Sequence, residues 1–419
     1  MFEFDMLGLA PALNKALQNA GLTQPTPIQN QAIPLALEGH DILGLAQTGT
    51  GKTLAFGLPL IEALLAQPGK PAPKTAKSLI LAPTRELVNQ IADNLRKLVT
   101  GTKLRVVTVV GGQSIGKQIN LLSRGTDILV ATPGRLIDLM DRGAVDLGTV
   151  RHLVLDEADQ MLDLGFIHAL RRIAPHLGSP RQTMMFSATM PKQMEELSRA
   201  YLTNPKRVQV AAPGKPADNV KQSVHFVTKP EKPGKLREIL SQDLDALTLV
   251  FSRTKHGAEK LMKGLVKDGY NAASIHGNKS QGQRDRAIKA FRAGEITVLV
   301  ATDVAARGID IPGVAYVINY DLPEVPDAYV HRIGRTARAG REGEAIAFCA
   351  PEEVGLLRQI QKLIKLDIPV ASGTAPETIG DAKPSGGNGR GRGPRSRPGG
   401  APGGNGGKLR RRRPRRKAA

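Results

Sequence analysis

Short apolar runs that each end in a polar or glycine-containing turn set the strongest limit on the fold of this 419-residue chain. The runs are rich in Val, Ile, Leu and Met without clear alternation, which is typical of strands buried on both faces of a sheet. Helical patterns such as RELVNQIADNLRKLV and PKQMEELSRAYL lie between them. This strand–helix alternation predicts an α/β fold with parallel sheets. In the N-terminal half the runs are SLILAPTRE, RVVTVVGG, DILVATPGR, HLVLDEAD and TMMFSAT.

The alternation stops at AAPGKPADNVKQ, which has the composition of a linker, and then resumes. The two halves share a fragment, with ILVATPGR starting at Ile128 and VLVATDVAARG starting at Val298. This likeness is weak evidence for a duplication and agrees with two lobes of one architecture. We therefore predict an N-terminal domain over residues 1–210, a linker over 211–222, a second domain over 223–370 and a tail over 371–419.

The tail is rich in Gly, Pro, Ser and Arg, with 13 glycines and no aromatic residue, and is predicted to be disordered. It contains three Lys and ten Arg against Glu377 and Asp381, a formal charge of +11 out of +21 for the whole chain. Such a segment favours a polyanion through phosphate contacts and counterion release. A solubilising extension is the alternative. An acidic membrane surface is disfavoured because the tail has no apolar face or lipidation motif.

The remaining composition favours a soluble cytoplasmic protein. Cys349 is the single cysteine, which excludes a disulfide framework and a multi-thiolate metal site. No apolar run approaches the length of a membrane span, and the N-terminus does not resemble a signal peptide.

The stretch AQTGTGKT at 46–53 follows an apolar run and precedes a helical pattern, as a phosphate-binding loop requires. Gly49 and Gly51 allow backbone N–H groups to face phosphate oxygens. Lys52 supplies a charge to the β- and γ-phosphates, and the Thr53 hydroxyl is a candidate Mg²⁺ ligand. Ala46 stands where the usual pattern has glycine. Taken alone, the stretch could also be a chance glycine turn.

A second acidic element supports a nucleotide site. In RHLVLDEADQM an apolar strand is followed directly by Asp156 and Glu157, at the strand end where α/β sheets bind ligands. One carboxylate can hold Mg²⁺ and its neighbour can orient or deprotonate the attacking water. An isolated acidic cluster would more often be a solvated turn. Behind a buried strand, and paired with a phosphate loop, it indicates a Walker B element.

These stretches form an ordered series that resembles the motifs of DEAD-box RNA helicases. The resemblance covers nearly the whole chain before the tail, and it implies two tandem RecA-like domains that bind ATP, Mg²⁺ and RNA. It also accounts for Ala46, because the family's loop resembles A-x-T-G-x-G-K-T. The matching stretches are AQTGTGKT, PTREL at 83–87, TPGR at 132–135, DEAD at 156–159, SAT at 187–189, ATDVAARGID at 301–310 and HRIGRTARAG at 331–340.

The resemblance assigns an adenine-reading Q motif to GLTQPTPIQ at 21–29. The Gln29 amide can both donate to and accept from the adenine edge. Leu22 departs from the aromatic residue that the family often has there, so aliphatic packing would replace stacking. The resemblance places the remaining nucleotide contacts at Phe4, Thr26, Ala46, Gln47, Thr48, Gly49, Thr50, Gly51, Lys52, Thr53, Gly308 and Asp310.

The second lobe lacks a phosphate loop but contains HRIGRTARAG. Arg335 and Arg338 are three residues apart, so on one helical turn both could face the γ-phosphate as arginine fingers. A solvated basic helix is the alternative. By resemblance, His331 links this motif to DEAD and to SAT, whose Ser187 and Thr189 couple the two domains. Ala337 replaces a glycine that is usual in the family, a change we expect to be tolerated.

The resemblance also divides an RNA track between the lobes. Arginines, threonine hydroxyls and exposed glycine N–H groups suit phosphates, which carry no sequence information. Aromatic residues are only 3% of the chain and Trp is absent, so base stacking is not expected to dominate. The assigned residues are Pro83, Thr84, Arg85, Gly111, Gly112, Thr132, Pro133, Gly134, Arg135, Arg253, Gly277, Gln281, Arg284, Thr302 and Asp303.

The expected activity is RNA-stimulated ATP hydrolysis with local unwinding of short duplexes and remodelling of ribonucleoproteins. One alternative is an RNA chaperone or ribonucleoprotein component that acts through the tail, and another is a DNA helicase of the same superfamily. The compact core with a short basic tail most resembles the bacterial RhlE group. We expect a monomeric core, no membrane partner, and protein partners from ribosome assembly or RNA decay.

Overall fold

A computed structural model describes residues 3–47, 49–67, 69–210, 220–306, 311, 313–337 and 342–375. The described residues fall within one compact unit and form two parallel sheets of seven strands each. The predicted α/β fold with parallel sheets is therefore confirmed. Among the described residues, no helix is both long and apolar enough to cross a membrane.

The first sheet has the strand order β3-β4-β2-β5-β6-β1-β7, and every neighbouring pair is parallel. Its strands are β1 (Ile42–Leu45), β2 (Ala76–Leu81), β3 (Val106–Val109), β4 (Thr126–Ala131), β5 (His152–Leu155), β6 (Gln182–Ser187) and β7 (Lys206–Gln209). The second sheet has the order β10-β11-β9-β12-β13-β8-β14, also with parallel neighbours. Its strands are β8 (Val220–Phe226), β9 (Thr248–Phe251), β10 (Ala272–Ile275), β11 (Val298–Ala301), β12 (Tyr316–Asn319), β13 (Gly343–Cys349) and β14 (Val370–Ser372).

The two sheets have the same topology, because adding seven to each strand number of the first gives the order of the second. The fragment shared by the two halves lies on β4 and β11, which occupy equivalent positions in the two sheets. The short sequence likeness therefore falls at corresponding places in two copies of one architecture.

Each sheet is buried on both faces. On β2, Leu79 and Leu81 pack into one core while Ile80 packs into another, and all three are fully buried. On β11, Leu299 and Val300 divide in the same way between two cores of the second lobe. This two-sided burial explains why the strands are continuous apolar runs without polar alternation.

Helices connect the strands. In the first lobe they are α1 (Pro11–Asn19), α2 (Pro27–Leu37), α3 (Lys52–Leu65), α4 (Arg85–Leu98), α5 (Ile115–Leu122), α6 (Pro133–Asp141), α7 (Ala158–Asp163), α8 (Ile167–Ile173) and α9 (Lys192–Tyr201). In the second they are α10 (Lys232–Leu240), α11 (Lys255–Lys267), α12 (Gln281–Arg292), α13 (Asp303–Ala306), α14 (Pro326–Ile333) and α15 (Val354–Ile364). Short 3₁₀ helices span Glu3–Leu7, Ala174–His176 and Pro351–Glu353.

Two predicted boundaries require correction. Strand β8 begins at Val220, so residues 220–222 belong to the second sheet and not to the linker. Strand β14 pairs with β8 through Val370 and Ser372, so the sheet extends into the predicted tail. In both cases main-chain hydrogen bonding within the sheet outweighs a composition that is typical of a loop. Residues 211–219 and 376–419 lie outside the described residues, and the other domain bounds stay predictions.

Parallel strands bring their carboxyl ends to one edge of each sheet. In the first lobe, that edge collects AQTGTGKT after β1, PTREL after β2, Gly111 and Gly112 after β3, TPGR after β4, Asp156 and Glu157 after β5, and SAT at the end of β6. In the second, it collects Arg253 after β9, Gly277 after β10 and Thr302 after β11. We call this edge the carboxyl edge and the opposite one the amino edge.

Candidate nucleotide and RNA site

The loop between β1 and α3 has the backbone of a phosphate cradle. Gly49 has φ +88° and Gly51 has φ +91°, in the left-handed region that favours glycine. Lys52 begins α3 with its side chain buried, and its Nζ donates to the Ala46 carbonyl at 3.1 Å. The Thr50 hydroxyl donates to the Gln47 carbonyl at 2.7 Å, which closes the loop on itself. Thr48 lies outside the described residues.

The Q motif holds the phosphate loop from outside. The Gln29 Nε2 donates to the Gly51 carbonyl at 2.9 Å, and its Oε1 accepts from the Thr26 N–H at 2.9 Å. A Cβ atom on Gly51 would lie 2.5 Å from that Nε2 atom, so only glycine permits this approach. One N–H and one lone pair of the amide are left for a base. Gln29 therefore supports the loop, a function that the sequence did not indicate, and its predicted adenine contact stays a prediction.

The other predicted adenine-side residues are packed inward. Phe4 is fully buried in the first-lobe core, and Leu22 packs partly buried against the same core. Thr26 is the residue before α2, where its backbone meets Gln29. Phe4 and Leu22 thus stabilise the N-terminal segment on which Thr26 and Gln29 lie.

Asp156 and Glu157 follow β5, and Asp156 faces the phosphate loop. Both are buried, and the Asp156 carboxylate lies 3.9 Å from Lys52 Nζ. Burial raises the pKa of Asp156 to about 6; Lys52 opposes the shift and Glu157 adds to it. Glu157 has φ +51°, which is uncommon for a residue with a side chain and costs of order 1–3 kcal/mol. Strain of this kind clusters at functional sites.

These residues fit a magnesium–nucleotide complex. The positive φ angles of Gly49 and Gly51 allow backbone N–H groups of the loop to face a phosphate, and the first turn of α3 contributes its unsatisfied N–H groups. A buried lysine faces Asp156, and the buried carboxylate of Glu157 is adjacent in sequence; a cation and a polyphosphate would complete this charge arrangement. Lys52, Thr53 and Asp156 are the residues that would hold them.

Asp159 connects three motifs. Its Oδ2 accepts from the Ala188 N–H at 3.0 Å, the Thr189 N–H at 2.8 Å and the Thr189 hydroxyl at 3.0 Å. The His331 Nε2 of the second lobe lies 3.8 Å from the same atom. Burial acts to raise the pKa of Asp159, but His331, Lys52 and the Thr189 hydrogen bonds outweigh it, so the net pKa is lowered. Ser187 donates to the Thr189 carbonyl at 2.6 Å and fixes the turn.

The segment after His331 differs from the predicted helical turn. Helix α14 ends at Ile333, and Arg335 follows in a turn in which Ala337 has φ +56°. The Thr336 hydroxyl donates to the Ala315 carbonyl at 3.1 Å. Ala315 directly precedes β12, so this bond holds the turn against the start of that strand. Arg335 is 3% exposed and lines a small pocket with His331. Arg338, Gly308 and Asp310 lie outside the described residues.

The first-lobe half of the RNA track is built around Arg85. Its guanidinium passes over the backbone of Gly111 and Gly112, and a Cβ on Gly112 would overlap it. Burial lowers the pKa of Arg85; Glu86 opposes this shift, while Arg284 and Arg135 add to it. Three guanidinium groups converging on one groove indicate a site for an anion.

The groove has a volume of about 430 Å³ and is formed by both lobes. It brings together Pro83, Thr84, Arg85, Glu86, Gly111, Thr132, Gly134, Arg135, Leu164, Phe166, Arg284 and Val304. Of these, Glu86, Leu164, Phe166 and Val304 were not predicted. Phe166 and Val304 supply apolar surface. Phe166 lies outside the matching motifs, and Val304 lies inside ATDVAARGID but has no polar group that would indicate a phosphate contact.

Glu86 joins the two lobes. Its Oε1 accepts from the Gln281 amide at 2.9 Å and lies 3.0 Å from an Arg284 guanidinium nitrogen. The Arg85 guanidinium in turn donates to the Gln281 Oε1 at 3.2 Å. The sequence contained one indication of this role: Glu86 is an acidic residue between Arg85 and Leu87, in a segment that was assigned to phosphate contacts.

Some predicted RNA residues are engaged by protein. Arg253 donates to the buried Glu353 at 2.5 Å, and Glu353 also binds Lys232 at 2.7 Å. Asp303 accepts two hydrogen bonds from Arg332, at 2.5 and 2.7 Å. Asp303 is thus held by Arg332 at the start of α13, and its predicted RNA contact stays a prediction. Gly277 is exposed, as a backbone contact requires.

Of the other predicted contacts, Thr132 and Pro133 are buried at the start of α6. Arg135 donates to the Gln113 carbonyl at 3.1 Å. Thr302 is buried directly after β11. These four residues line or support the carboxyl edge.

Comparisons with known proteins agree with this site. The profile of the DEAD/DEAH box helicase family matches residues 26–197, and that of the helicase conserved C-terminal domain matches residues 231–340. The chain is 43% identical over 362 residues to the DEAD-box ATP-dependent RNA helicase CshA of Bacillus licheniformis, covering 86% of this chain and 73% of that protein. It is 42% identical over 362 residues to CshA of Bacillus subtilis, covering 86% and 72%. This chain belongs to the DEAD-box ATP-dependent RNA helicases.

Solved structures place this DEAD-box helicase among RNA-bound relatives. Dbp5 of S. cerevisiae, bound to RNA and ADP BeF3, matches with a TM-score of 0.80 at 33% identity, over 89% of this chain and 96% of that one. Mss116p, bound to single-stranded RNA and AMP-PNP, matches with a TM-score of 0.80 at 29% identity, over 88% and 78%. The two tandem RecA-like domains are confirmed. The helicase is an RNA-dependent ATPase that uses ATP with Mg²⁺ and unwinds RNA.

Proposed function

We propose that the carboxyl edges of the two lobes act as a clamp in which one ATP and one RNA strand are bound together. The observation that carries this proposal is the pair of cross-lobe contacts, Asp159 with His331 and Glu86 with Arg284 and Gln281. The first pair lies beside the nucleotide loops and the second lies in the RNA groove. Anything that separates the lobes breaks both pairs, so the two sites are coupled.

At the nucleotide side, each residue has a role that its position supports. Lys52 neutralises the β- and γ-phosphates, and Gly49 and Gly51 direct backbone N–H groups to them. Glu157 orients or deprotonates the attacking water, since it is buried next to Asp156 at the end of β5. Arg335, with Arg338, stabilises the charge that develops on the γ-phosphate. Thr53 and Asp156 are the residues that would hold Mg²⁺, which would act as a Lewis acid and neutralise phosphate charge.

At the RNA side, binding is to the backbone and independent of sequence. Arg85, Arg135 and Arg284 converge on the groove, and each N–H of a guanidinium suits a phosphate oxygen. Closing the lobes around the groove favours a bent single strand that no longer fits a duplex, so the partner strand leaves. We therefore propose local strand separation and not long-range translocation.

The test separates nucleotide binding from hydrolysis. Glu157→Gln keeps the size and the hydrogen-bonding ability of the side chain but removes its charge. It is expected to retain ATP and RNA binding and to lower RNA-stimulated hydrolysis by about a hundredfold or more, in the range of lost general-base catalysis. Glu196→Gln, on an exposed carboxylate of α9, is the matched control. Normal ATPase activity in Glu157→Gln would refute the proposed role, and equal stimulation by DNA would favour the DNA-helicase alternative.

We further propose that the basic segment after residue 376 tethers the core to structured RNA, in the manner expected for the RhlE group. The positive charge of this segment supports the tether. The relatives described above are CshA proteins, so membership of the RhlE group stays a proposal. We also propose, from the sequence composition and the family resemblance, that the helicase acts in the cytoplasm as a monomeric core. Its protein partners would then come from ribosome assembly or RNA decay. A chain that ends at residue 375 should lose RNA affinity and show a shallower salt dependence. Unchanged affinity and slope would refute the tether.

A further inference from the structure

A second groove lies in the first lobe, at the amino edge and away from the nucleotide and RNA sites. It has a volume of about 860 Å³. Its walls are the C-terminal end of α3 and the segments that lead into β2, β3 and β4. The loops of the nucleotide and RNA sites follow the carboxyl ends of the same strands. A molecule in this amino-edge groove would therefore not compete with ATP or RNA for their residues.

The charge of the amino-edge groove is strongly positive. Five basic residues and one acidic residue line it. The acid, Asp127, is paired with Lys77 at 3.1 Å. Arg105 donates to the Gly125 carbonyl at 3.0 Å, which fixes its guanidinium at the rim. Because carbonyl groups do not neutralise it, Arg105 carries the excess positive charge together with Lys70, Lys103 and Arg124.

Three of these bases are available to a ligand. Lys70, Lys103 and Arg124 are exposed, and within the described part of the chain no hydrogen bond or ion pair engages their side chains. Carbonyl and carboxylate groups thus hold two bases in place, while three project freely around the opening. The rim of the groove therefore combines two fixed basic side chains with three flexible ones, an arrangement that suits an anionic ligand.

The floor of the groove is aliphatic. Leu64 is buried, Leu104 is half-buried, and Leu65 at the end of α3 is 40% exposed, so an aliphatic surface is accessible from the groove. Among the described lining residues there is no aromatic ring, so the floor offers nucleic-acid bases no stacking platform. A ligand that matches both the basic rim and the aliphatic floor would carry carboxylates to pair with the rim and an aliphatic side chain to pack on the floor.

We propose that the amino-edge groove docks a short acidic segment of a partner protein, with one aliphatic side chain inserted over Leu65. Charge complementarity selects an acidic segment. The helicase's own tail, with a charge of +11, is excluded by like-charge repulsion. Docking there would attach the helicase to an assembly while the carboxyl edge remains free to bind RNA and hydrolyse ATP.

The experiment uses the full chain and a photo-reactive peptide of alternating Glu and Leu, followed by mass spectrometry of the labelled sites. Labels are expected in the segments around Leu65, Lys103 and Arg124. The double variant Lys103→Glu with Arg124→Glu should weaken peptide binding by about tenfold or more, as loss of interfacial charge pairs does. RNA-stimulated ATP hydrolysis should stay unchanged.

Controls distinguish the acidic peptide from a nucleic acid. Lys260→Glu with Lys289→Glu makes the same charge change on exposed lysines of the second lobe and should leave the labelling intact. Leu65→Ser should weaken the Glu–Leu peptide but not a peptide of Glu alone. The proposal fails if labels fall only beyond residue 376, if the double variant labels as the wild type does, or if oligo-uridylate labels the groove in preference to the peptide.

Discussion

The Nε2 atom of His331 lies 3.8 Å from the Oδ2 atom of Asp159, the same oxygen that accepts three hydrogen bonds from Ala188 and Thr189. One carboxylate oxygen therefore contacts SAT in its own lobe and the arginine-bearing motif in the other. Asp159 is also two residues from Glu157. Opening of the lobes would remove the His331 imidazole from Asp159, so this carboxylate couples lobe closure to the nucleotide site.

His331→Ala should uncouple RNA binding from ATP hydrolysis. ATP affinity is expected to hold, because His331 is not part of the phosphate loop, while RNA-stimulated kcat should fall about tenfold, a usual size for a coupling free energy between sites. Steady-state ATPase assays with and without RNA measure this. His168→Ala, an exposed histidine on α8, is the control. A proportional loss of basal and stimulated rates would contradict the coupling role.

Gly51→Ala should weaken ATP binding through the Q motif. The new Cβ would lie 2.5 Å from Gln29 Nε2 and 2.9 Å from the Thr26 hydroxyl, so the support of the phosphate loop must shift. If about 1.4 kcal/mol of this cost falls on binding, the ATP dissociation constant rises about tenfold. Titration with a fluorescent ATP analogue measures it.

Gly39→Ala is the matched control for Gly51→Ala. Gly39 has φ +87°, close to the angle of Gly51, but a Cβ there meets nothing within 4 Å. Both variants suffer the same backbone strain, and only Gly51→Ala disturbs Gln29. Equal ATP affinities of the two variants would show that the Gln29 contact does not matter for binding.

The fold could be predicted from the sequence because its strands are buried on both faces. A run such as that of β4 cannot be half-exposed, and parallel sheets with helical connections follow from it. The ends of the sheet were less predictable. Val220 begins β8, the strand next to the edge, and Ser372 lies on the edge strand β14; at both places sheet hydrogen bonding decides the conformation and the side chains give little signal.

The site was predictable where one residue type performs the chemistry, as at Lys52 and Asp156. It was not predictable where the partner is distant in sequence. Asp303 was assigned to the RNA track by resemblance, and the structure places the guanidinium of Arg332 against it. Glu86 lay inside a predicted motif, but its role depends on Arg284, which is almost two hundred residues away.

Gly112→Ala should weaken RNA binding through Arg85. The added methyl group would overlap the Arg85 guanidinium, which must leave the groove. Losing one phosphate contact should reduce the slope of log K against log salt by about 0.7 for a single strand. Fluorescence anisotropy with labelled RNA at several salt concentrations measures this slope. Gly143→Ala, with φ +61° and no atom within 4 Å of the new Cβ, controls for strain, and an equal slope in both variants would contradict the Arg85 contact.

Ala337→Gly should stabilise the second lobe. Ala337 has φ +56°, and a left-handed residue with a Cβ costs roughly 1–2 kcal/mol relative to glycine. Part of that gain is offset because the methyl group packs partly buried against the core around Tyr329 and Ile333 and because glycine is freer in the unfolded chain. The net rise in the free energy of unfolding should be about 0.5 kcal/mol. Ala293→Gly, at an exposed residue with φ −80°, should instead lower it. Urea midpoints of the two variants decide the matter, since a fall in both would show that the turn at Ala337 is unstrained.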